Sequence, residues 1–425
     1  MEISVFWFRR DLRLDDNIAL LKAVESGLPV LPIFIFDELI LDDLCDDDPR
    51  VNFIFEQLVK IDSQLKEHGS SVLILKGRPM EVWSKLLASY SVKHVFCNRD
   101  YEPYGVQRDA QAKEMLAKQD VGFYSYKDQV IQEQSDILKS DGTPYTVFTP
   151  YKRRWLEQYK PLVPRSFKSF QSLLKLDQPF PSKEDLAIKK SNLFVKPFTL
   201  DVANEYAGKR DFPVLDFTSY LGPHLRFGTV SIRQIIASIK PENEMFLSEL
   251  IWREFFMQIM FHHPRVVSEN FRVKYDRVQW LNNQADFEKW KNGQTGYAMV
   301  DAGMRQLNQT GYMHNRLRMV TAGFLCKHLL IDWRWGEAYF AQKLLDFELS
   351  SNNGNWQWAA GTGCDAAPYF RVFNPDTQHK KFDAKSEFVT KWIPEYQTMN
   401  YVAKMIDHDY ARKRAVKAYK DGLGV

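Results

Sequence analysis

The first 127 residues alternate between two hydrophobic periods. Short apolar runs at 3–8, 30–36, 72–75, 93–97 and 121–126 have the length and the β-branched and aromatic content of buried strands. Between them, at 17–24, 51–68, 80–90 and 107–118, apolar residues recur at helical spacing. This alternation predicts a Rossmann-like open parallel sheet covered by helices. Ligands of such sheets sit at the carboxyl ends of the strands. Those ends carry Arg9, Arg10, Asp37, Gly77, Asn98, Arg99 and Asp100. No G-x-G-x-x-G follows the first strand, so the ordinary NAD fingerprint is absent. Asp15 and Asp16 belong to the distinctive opening FWFRRDLRLDDN, and they equally fit plain acids at a helix start, where the macrodipole favours them.

The pattern changes after residue 127. Residues 128–200 show no sustained period and hold several prolines and the charged run KSFQSLLKLDQPFPSKEDLAIKK, which predicts a long interdomain linker. From 201 to 425 the pattern is helical and aromatic, with no internal repeat and no low-complexity tract. The expected organisation is an α/β domain at 1–127, a linker at 128–200 and an all-α domain at 201–425.

A chain of 425 residues has room for such a division. Its net charge of +3 excludes a strong global attraction to nucleic acid. The stretch from Arg371 to the C-terminus is richer in Lys and Arg than in acids, which allows a local basic surface. Cys45, Cys97, Cys326 and Cys364 form no C-x-x-C pair. They read as reduced thiols of a cytoplasmic protein, with no disulfide framework and no metal site. No signal-peptide pattern and no membrane-length apolar run are present, so no membrane association is expected.

The chemistry concentrates in four places. Residues 346–375, DFELSSNNGNWQWAAGTGCDAAPYFRVFNP, combine acids, tandem asparagines, two tryptophans and a glycine turn. That mixture suits a site for a large planar ligand. In RDFPVLDFTSYLGPHLRFG, at 210–228, Thr218 and Ser219 precede a helix-like segment, where hydroxyls and free N–H groups either bind phosphate or cap the helix. In SELIWREF, Glu249, Trp252 and Arg253 are spaced i, i+3, i+4 and share a helix face. In MHNRLRM, Asn315, Arg318 and Met319 fall on one face and Arg316 about a quarter-turn away.

The wording NNGxWQWAAxTGxDAAPYFRxFNP, the opening FWFRRDLRLDDN and PYTVFTPYKRRW at 144–155 resemble the photolyase/cryptochrome family, in the form of its bacterial class I cyclobutane pyrimidine dimer photolyases. The resemblance covers most of the chain and is strongest at 206–381. It implies an N-terminal antenna domain and a helical domain that holds FAD, with a pyrimidine dimer of DNA extruded into a pocket beside the flavin. It implies FAD contacts from Tyr206, Thr218, Ser219, Tyr220, Leu221, Arg253, Asn315, Arg318, Asp346 and Asn352, with Arg318 paired to Asp346 and Asn352 facing flavin N5. Glu249, Trp252, Asn315, Met319 and Trp358 would line the dimer pocket, and Arg210, Arg316, Arg371 and Lys381 would contact DNA. Trp356, Trp333 and Trp280 would form an electron-transfer chain to the flavin.

The chain departs from the family pattern in three cofactor-side positions. Glu348 stands where the family usually has Asp, and Phe246 and Tyr312 stand where relatives often have Trp. In the antenna domain, Tyr104-Gly105 occupies the place of the Asn-Glu pair of folate-binding relatives. The expected second chromophore is therefore a deazaflavin or FMN, with folate disfavoured, or the pocket is empty. A monomer is expected. The alternative reading is a cryptochrome-type blue-light photosensor without repair. Glu249, Trp252 and Trp358, and the lack of a tail after YARKRAVKAYK, favour light-driven repair.

Overall fold

The computed structural model describes residues 1–161 and 163–425 and divides into two compact units. The first comprises 1–136, 157–198 and 220–240; the second comprises 137–156, 199–219 and 241–425.

The first unit is built on five parallel strands, β1 (Glu2–Phe8), β2 (Val30–Asp37), β3 (Leu73–Gly77), β4 (Ser91–Asn98) and β5 (Gly122–Tyr126), in the order β3-β2-β1-β4-β5. Parallel sheets bury both faces, and the alternation along β1 and β2 shows how. Phe6, Phe8, Phe34 and Phe36 pack into the core beneath the Pro49–Lys66 helix. Ile3, Val5, Trp7, Leu31, Ile33 and Ile35 enter the core of the opposite face with Trp83 and Leu116. The order of the strands reverses about β1, so the crevice at its carboxyl end, beside β4, is the natural ligand position of the sheet.

Two expectations are corrected here. The helix after β1 begins at Ile18, with Asn17 accepting from the Leu20 N–H as its cap. Asp16 is not a dipole partner: it is buried and left-handed, with φ 48°. Its carboxylate accepts from Arg233 Nε at 2.7 Å and from the Ser231 hydroxyl. Asp15 accepts from the Phe167 N–H at 2.7 Å. Both acids therefore tie down distant parts of this unit.

The second correction concerns 128–200, which is more than a connection. Phe167, Leu173, Leu186 and Ile188 are buried in the same core as Phe34, and the Leu174 N–H donates to the Val30 carbonyl at 2.8 Å. Phe148–Gln158 is a helix that buries Phe148, Tyr151 and Trp155. Its apolar pattern is too short, and too interrupted by Pro150, for periodicity to reveal it.

The second unit is helical. Its centre is the Leu349–Ala360 helix, which packs against the helices Glu244–His262, Asn315–Gly323 and Trp333–Lys343. Two glycines permit that packing. A Cβ on Gly336 would lie 2.1 Å from Trp356 Cη2, and one on Gly354 would lie 2.1 Å from Phe256 Cδ1. Neither approach survives a side chain. The core of the unit holds Trp290, Trp333, Phe340 and Trp356 among its large buried rings. The Asn315–Gly323 helix runs on into a π-helical turn, Phe324–His328. Among the described residues, no helix is long and apolar enough to cross a membrane, and no group of three or more His, Cys, Asp or Glu is placed to hold a metal.

Candidate active site

The side chains expected to act together lie mostly on four helices of the second unit. On Glu244–His262, Glu249 is ion-paired with Arg210. The Arg210 guanidinium lies 5.2 Å from the centre of the Tyr206 ring, and that ring meets Phe246 edge-to-face at 5.3 Å. Burial, reinforced by the Glu249 charge, pushes the Tyr206 phenol up to about 12, so it remains a hydroxyl at neutral pH.

One turn further on, Arg253 donates from Nε to Glu348 Oε2 and from Nη2 to Glu348 Oε1, both at 2.9 Å. The resemblance places Arg253 near the FAD phosphates; in the structure its guanidinium is held by the Glu348 carboxylate, which is only 5% exposed. Trp252 also has a partner that the sequence did not reveal. Phe148 lies face-to-face with it at 3.7 Å and 8°, and Phe256 stacks at 5.3 Å. Phe148 thus holds the indole from one side. Its signal was hidden because it lies in the stretch read as a linker.

The Asn315–Gly323 helix is capped by His314, whose imidazole accepts from the Arg316 N–H. Burial, with Arg316 and Arg318 nearby, pushes His314 down to about 4, which keeps its ring neutral and able to cap. Arg316 pairs with Asp211 at 2.6 Å and lies 4.1 Å over Phe382. Arg318 donates from Nη2 to Asp346 Oδ2 at 2.8 Å and from Nε to the Met313 carbonyl at 2.9 Å. Asn315 is exposed, Met319 half-buried and Tyr312 buried.

Two acceptor atoms give this region its character. Asp346 Oδ1 is buried and has no hydrogen-bond partner, although Arg318 holds the other oxygen of the same carboxylate. Asn352 donates its amide nitrogen to Glu337, and no described residue donates to its amide oxygen. A buried acceptor without a donor is costly, and a ligand with N–H groups on a planar edge would satisfy it. The donor set fits the expected flavin. Asp346, Arg318, Asn352 and the Phe246 and Tyr206 rings would hold it.

The three tryptophans of the expected electron path belong to one aromatic core. Trp356 and Trp333 are buried in it and Trp280 packs against it. Trp356 meets Phe340 at 4.9 Å and Trp290 at 6.2 Å. Trp333 Nε1 donates to Asn270 Oδ1 at 2.9 Å. Trp280 meets Tyr419 at 5.9 Å.

The remaining residues are more scattered. Trp358 is half-buried, and Arg371 and Lys381 are exposed on the second unit. Thr218 and Ser219 close the 199–219 segment of the second unit, while Tyr220 and Leu221 belong to the first. Tyr220 is left-handed, with φ 54°, and caps the short helix Leu221–Arg226.

The strand ends of the first unit hold a dense charge network. Arg9 is paired with Asp109, and Arg10 with Asp100 at 3.2 Å. The Tyr104 hydroxyl donates to Asp37. The Arg9 and Arg108 guanidiniums each lie 5.0 Å from the Trp7 ring.

Known proteins resemble this arrangement throughout the chain. Residues 246–400 match the family described as FAD binding domain of DNA photolyase, and residues 4–169 match that described as DNA photolyase. The deoxyribodipyrimidine photo-lyase of Alkalihalophilus pseudofirmus is 35% identical, over 98% of this chain and 98% of its own length. A bacterial class III photolyase structure from Agrobacterium tumefaciens is similar with a TM-score of 0.86 and 32% identity, over 100% of this chain and 98% of that one. The archaeal photolyase of Sulfolobus tokodaii, solved with two FAD molecules, matches with a TM-score of 0.86 and 32% identity, over 99% of this chain and 100% of that one.

Proposed function

The chain belongs to the DNA photolyase family, and we propose from this, and from its site, that it repairs cyclobutane pyrimidine dimers in DNA with light. One observation carries the reading beyond family membership. The buried Asp346 Oδ1, which has no hydrogen-bond partner, and the Asn352 amide oxygen, to which no described residue donates, lie in the same helical unit as the Glu249, Trp252 and Arg210 cluster. FAD, when bound and reduced, supplies the chemistry: excited by light, it lends an electron to the dimer and recovers it after the ring has split.

The protein's own residues do the rest. Asp346, fixed by Arg318, accepts from the flavin edge, and Asn352 faces N5. Tyr206 and Phe246 pack beside the cofactor, and Thr218 and Ser219 offer hydroxyls to its phosphates. Glu249 and Asn315 offer polar groups to the edges of the flipped bases. Trp252, Met319 and Trp358 offer apolar surface, where stacking contributes about 1–3 kcal/mol per base. Arg210, Arg316, Arg371 and Lys381 hold the distorted backbone by phosphate contacts, which position without reading sequence. Arg210 and Arg316 already face carboxylates, Glu249 and Asp211, so DNA phosphates compete for guanidiniums held in place. Trp356, Trp333 and Trp280 carry electrons to oxidised flavin and restore the reduced form.

A second chromophore, if bound, belongs at the carboxyl ends of β1, β2 and β4, beside Trp7, Asp37 and Tyr104. The two FAD molecules of the Sulfolobus tokodaii relative and the Tyr104-Gly105 wording favour a flavin or deazaflavin over a folate. The protein acts on DNA as a monomer in the cytoplasm.

The test is direct binding. Purified protein should retain stoichiometric FAD and bind a dimer-bearing oligonucleotide more tightly than the same undamaged sequence. Equal affinity for both would contradict the reading.

A further inference from the structure

We propose that Glu337 is a positioning residue that sets which end of the Asn352 amide faces the flavin; this rests on the reading above that Asn352 lies at N5. A primary amide has a donor end and an acceptor end of nearly equal size, and only its hydrogen-bond partners decide which way it points. Asn352 Nδ2 donates to Glu337 Oε1 at 2.7 Å and to the Glu337 backbone carbonyl at 3.1 Å. Both are acceptors, so the nitrogen end is held at Glu337. The backbone carbonyl accepts whatever the protonation state of the side chain. The oxygen end receives no donor from any described residue and is the end left for the cofactor.

The fold gives this contact its precision. Gly336 precedes Glu337, and its missing side chain lets the Leu349–Ala360 helix lie so close that a Cβ there would touch Trp356 Cη2 at 2.1 Å. Asn352 and Trp356 are four residues apart and share a helix face. The Gly336–Trp356 approach and the Glu337–Asn352 bonds are therefore successive points of one helix–helix seam. Among the described residues, Asn352 is also the sole hydrogen-bond partner of the Glu337 carboxyl. Burial raises that carboxyl, and the Asn352 bond opposes the rise. A half-buried carboxyl held against a single amide is a cost to the fold, and its service to Asn352 explains its presence.

The consequence is chemical. An acceptor at N5 complements a flavin whose N5 bears hydrogen and faces the lone pair of one whose N5 does not. Glu337 thus biases the bound cofactor toward its reduced form, the form that repair requires.

The test uses the holoprotein carrying FAD labelled with 15N at N5, and reads the N5 resonance and the flavin midpoint potential. Glu337→Met removes the carboxylate acceptor at similar size; Glu337→Gln keeps an oxygen in its place. The N5 resonance of Glu337→Met should move in the direction seen for Asn352→Ala, and its midpoint potential should fall. Glu337→Gln should lie near wild type. If Glu337→Met does not retain FAD, Glu337→Ala supplies the same comparison. Wild-type resonance and potential in Glu337→Met, with Asn352→Ala shifted, would overturn the proposal and leave Asn352 at N5. A Gln variant shifted as far as the Met variant would also overturn it, because charge and not amide orientation would then be the cause. An unchanged N5 resonance in Asn352→Ala would remove the N5 assignment itself.

Discussion

Arg253 and Glu348 are joined by two parallel hydrogen bonds, each 2.9 Å long. Forked pairs of this kind are the strong form of a charged contact, and this one is largely buried, with side-chain exposures of 12% and 5%. Glu348 stands where the resemblance leads one to expect an Asp. The extra methylene lets its carboxylate reach both guanidinium nitrogens from the start of the Leu349–Ala360 helix.

The first prediction follows from that fork. Glu348→Ala removes the carboxylate from a buried guanidinium, which should cost about 3–5 kcal/mol of stability. Glu348→Asp should lose one of the two bonds and cost about 1.5–3 kcal/mol. Denaturant unfolding of wild type and both variants, with and without FAD, measures the difference. Equal stability of all three would show that the pair contributes nothing net.

The sheet was legible almost to the residue, because fully buried strands and amphipathic helices alternate cleanly there. The residues proposed to face the flavin came from the family resemblance, which the rare residue types of 346–375 carry most strongly. Partners were not legible. Nothing in the sequence joins Arg253 to Glu348, Glu337 to Asn352 or Phe148 to Trp252, since each pair is separated by a change of helix. Phe148 was further concealed by Pro150 and by the aperiodic stretch around it. Asp16 misled for a related reason: an acid near a helix start looks the same whether it serves the dipole or binds a distant arginine.

The Arg210–Glu249 pair leads to a prediction about salt. If Arg210 moves from carboxylate to phosphate on binding DNA, Arg210→Ala should lower affinity for dimer-bearing DNA and reduce the slope of log affinity against log salt by about 1. Titrations at several salt concentrations read that slope directly. A weaker affinity with an unchanged slope would mean that Arg210 only orders Glu249.

The aromatic core predicts a kinetic effect. Trp356→Phe should retain FAD, because an apolar ring stays in the core and only the far end of the indole beside Gly336 is lost, yet photoreduction of oxidised flavin should slow sharply. Trp333→Phe and Trp280→Phe should slow it as well. Transient absorption with an external reductant provides the measurement. Undiminished photoreduction in Trp356→Phe would redirect the route.

The buried imidazole of His328 predicts how stability depends on pH. Its ring bonds that of His408 at 2.9 Å, at the start of the C-terminal helix His408–Leu423. Burial, with His408 and Arg414 nearby, pushes its pKa down to about 3 from an ordinary 6.5. Between those values the unfolded chain binds the extra proton and the folded chain does not. Stability from this group is therefore intact above about pH 6.5 and is lost as pH falls, at up to about 1.4 kcal/mol per pH unit. His328→Gln should flatten the fall between pH 6.5 and 5 by about 2 kcal/mol. Thermal unfolding of the two proteins across that range would show parallel curves if His328 does not matter.

The central claim is light-driven repair, and one measurement tests it most directly. Wild-type protein with reduced FAD is mixed with an oligonucleotide carrying a single cyclobutane thymine dimer, and one half is kept dark while the other receives blue or near-UV light. The account predicts that intact thymines return in the illuminated half alone. Dimers that persist in the light, with flavin reduced and DNA bound, would contradict it, and a light-dependent change in conformation in that same sample would point to a photosensor.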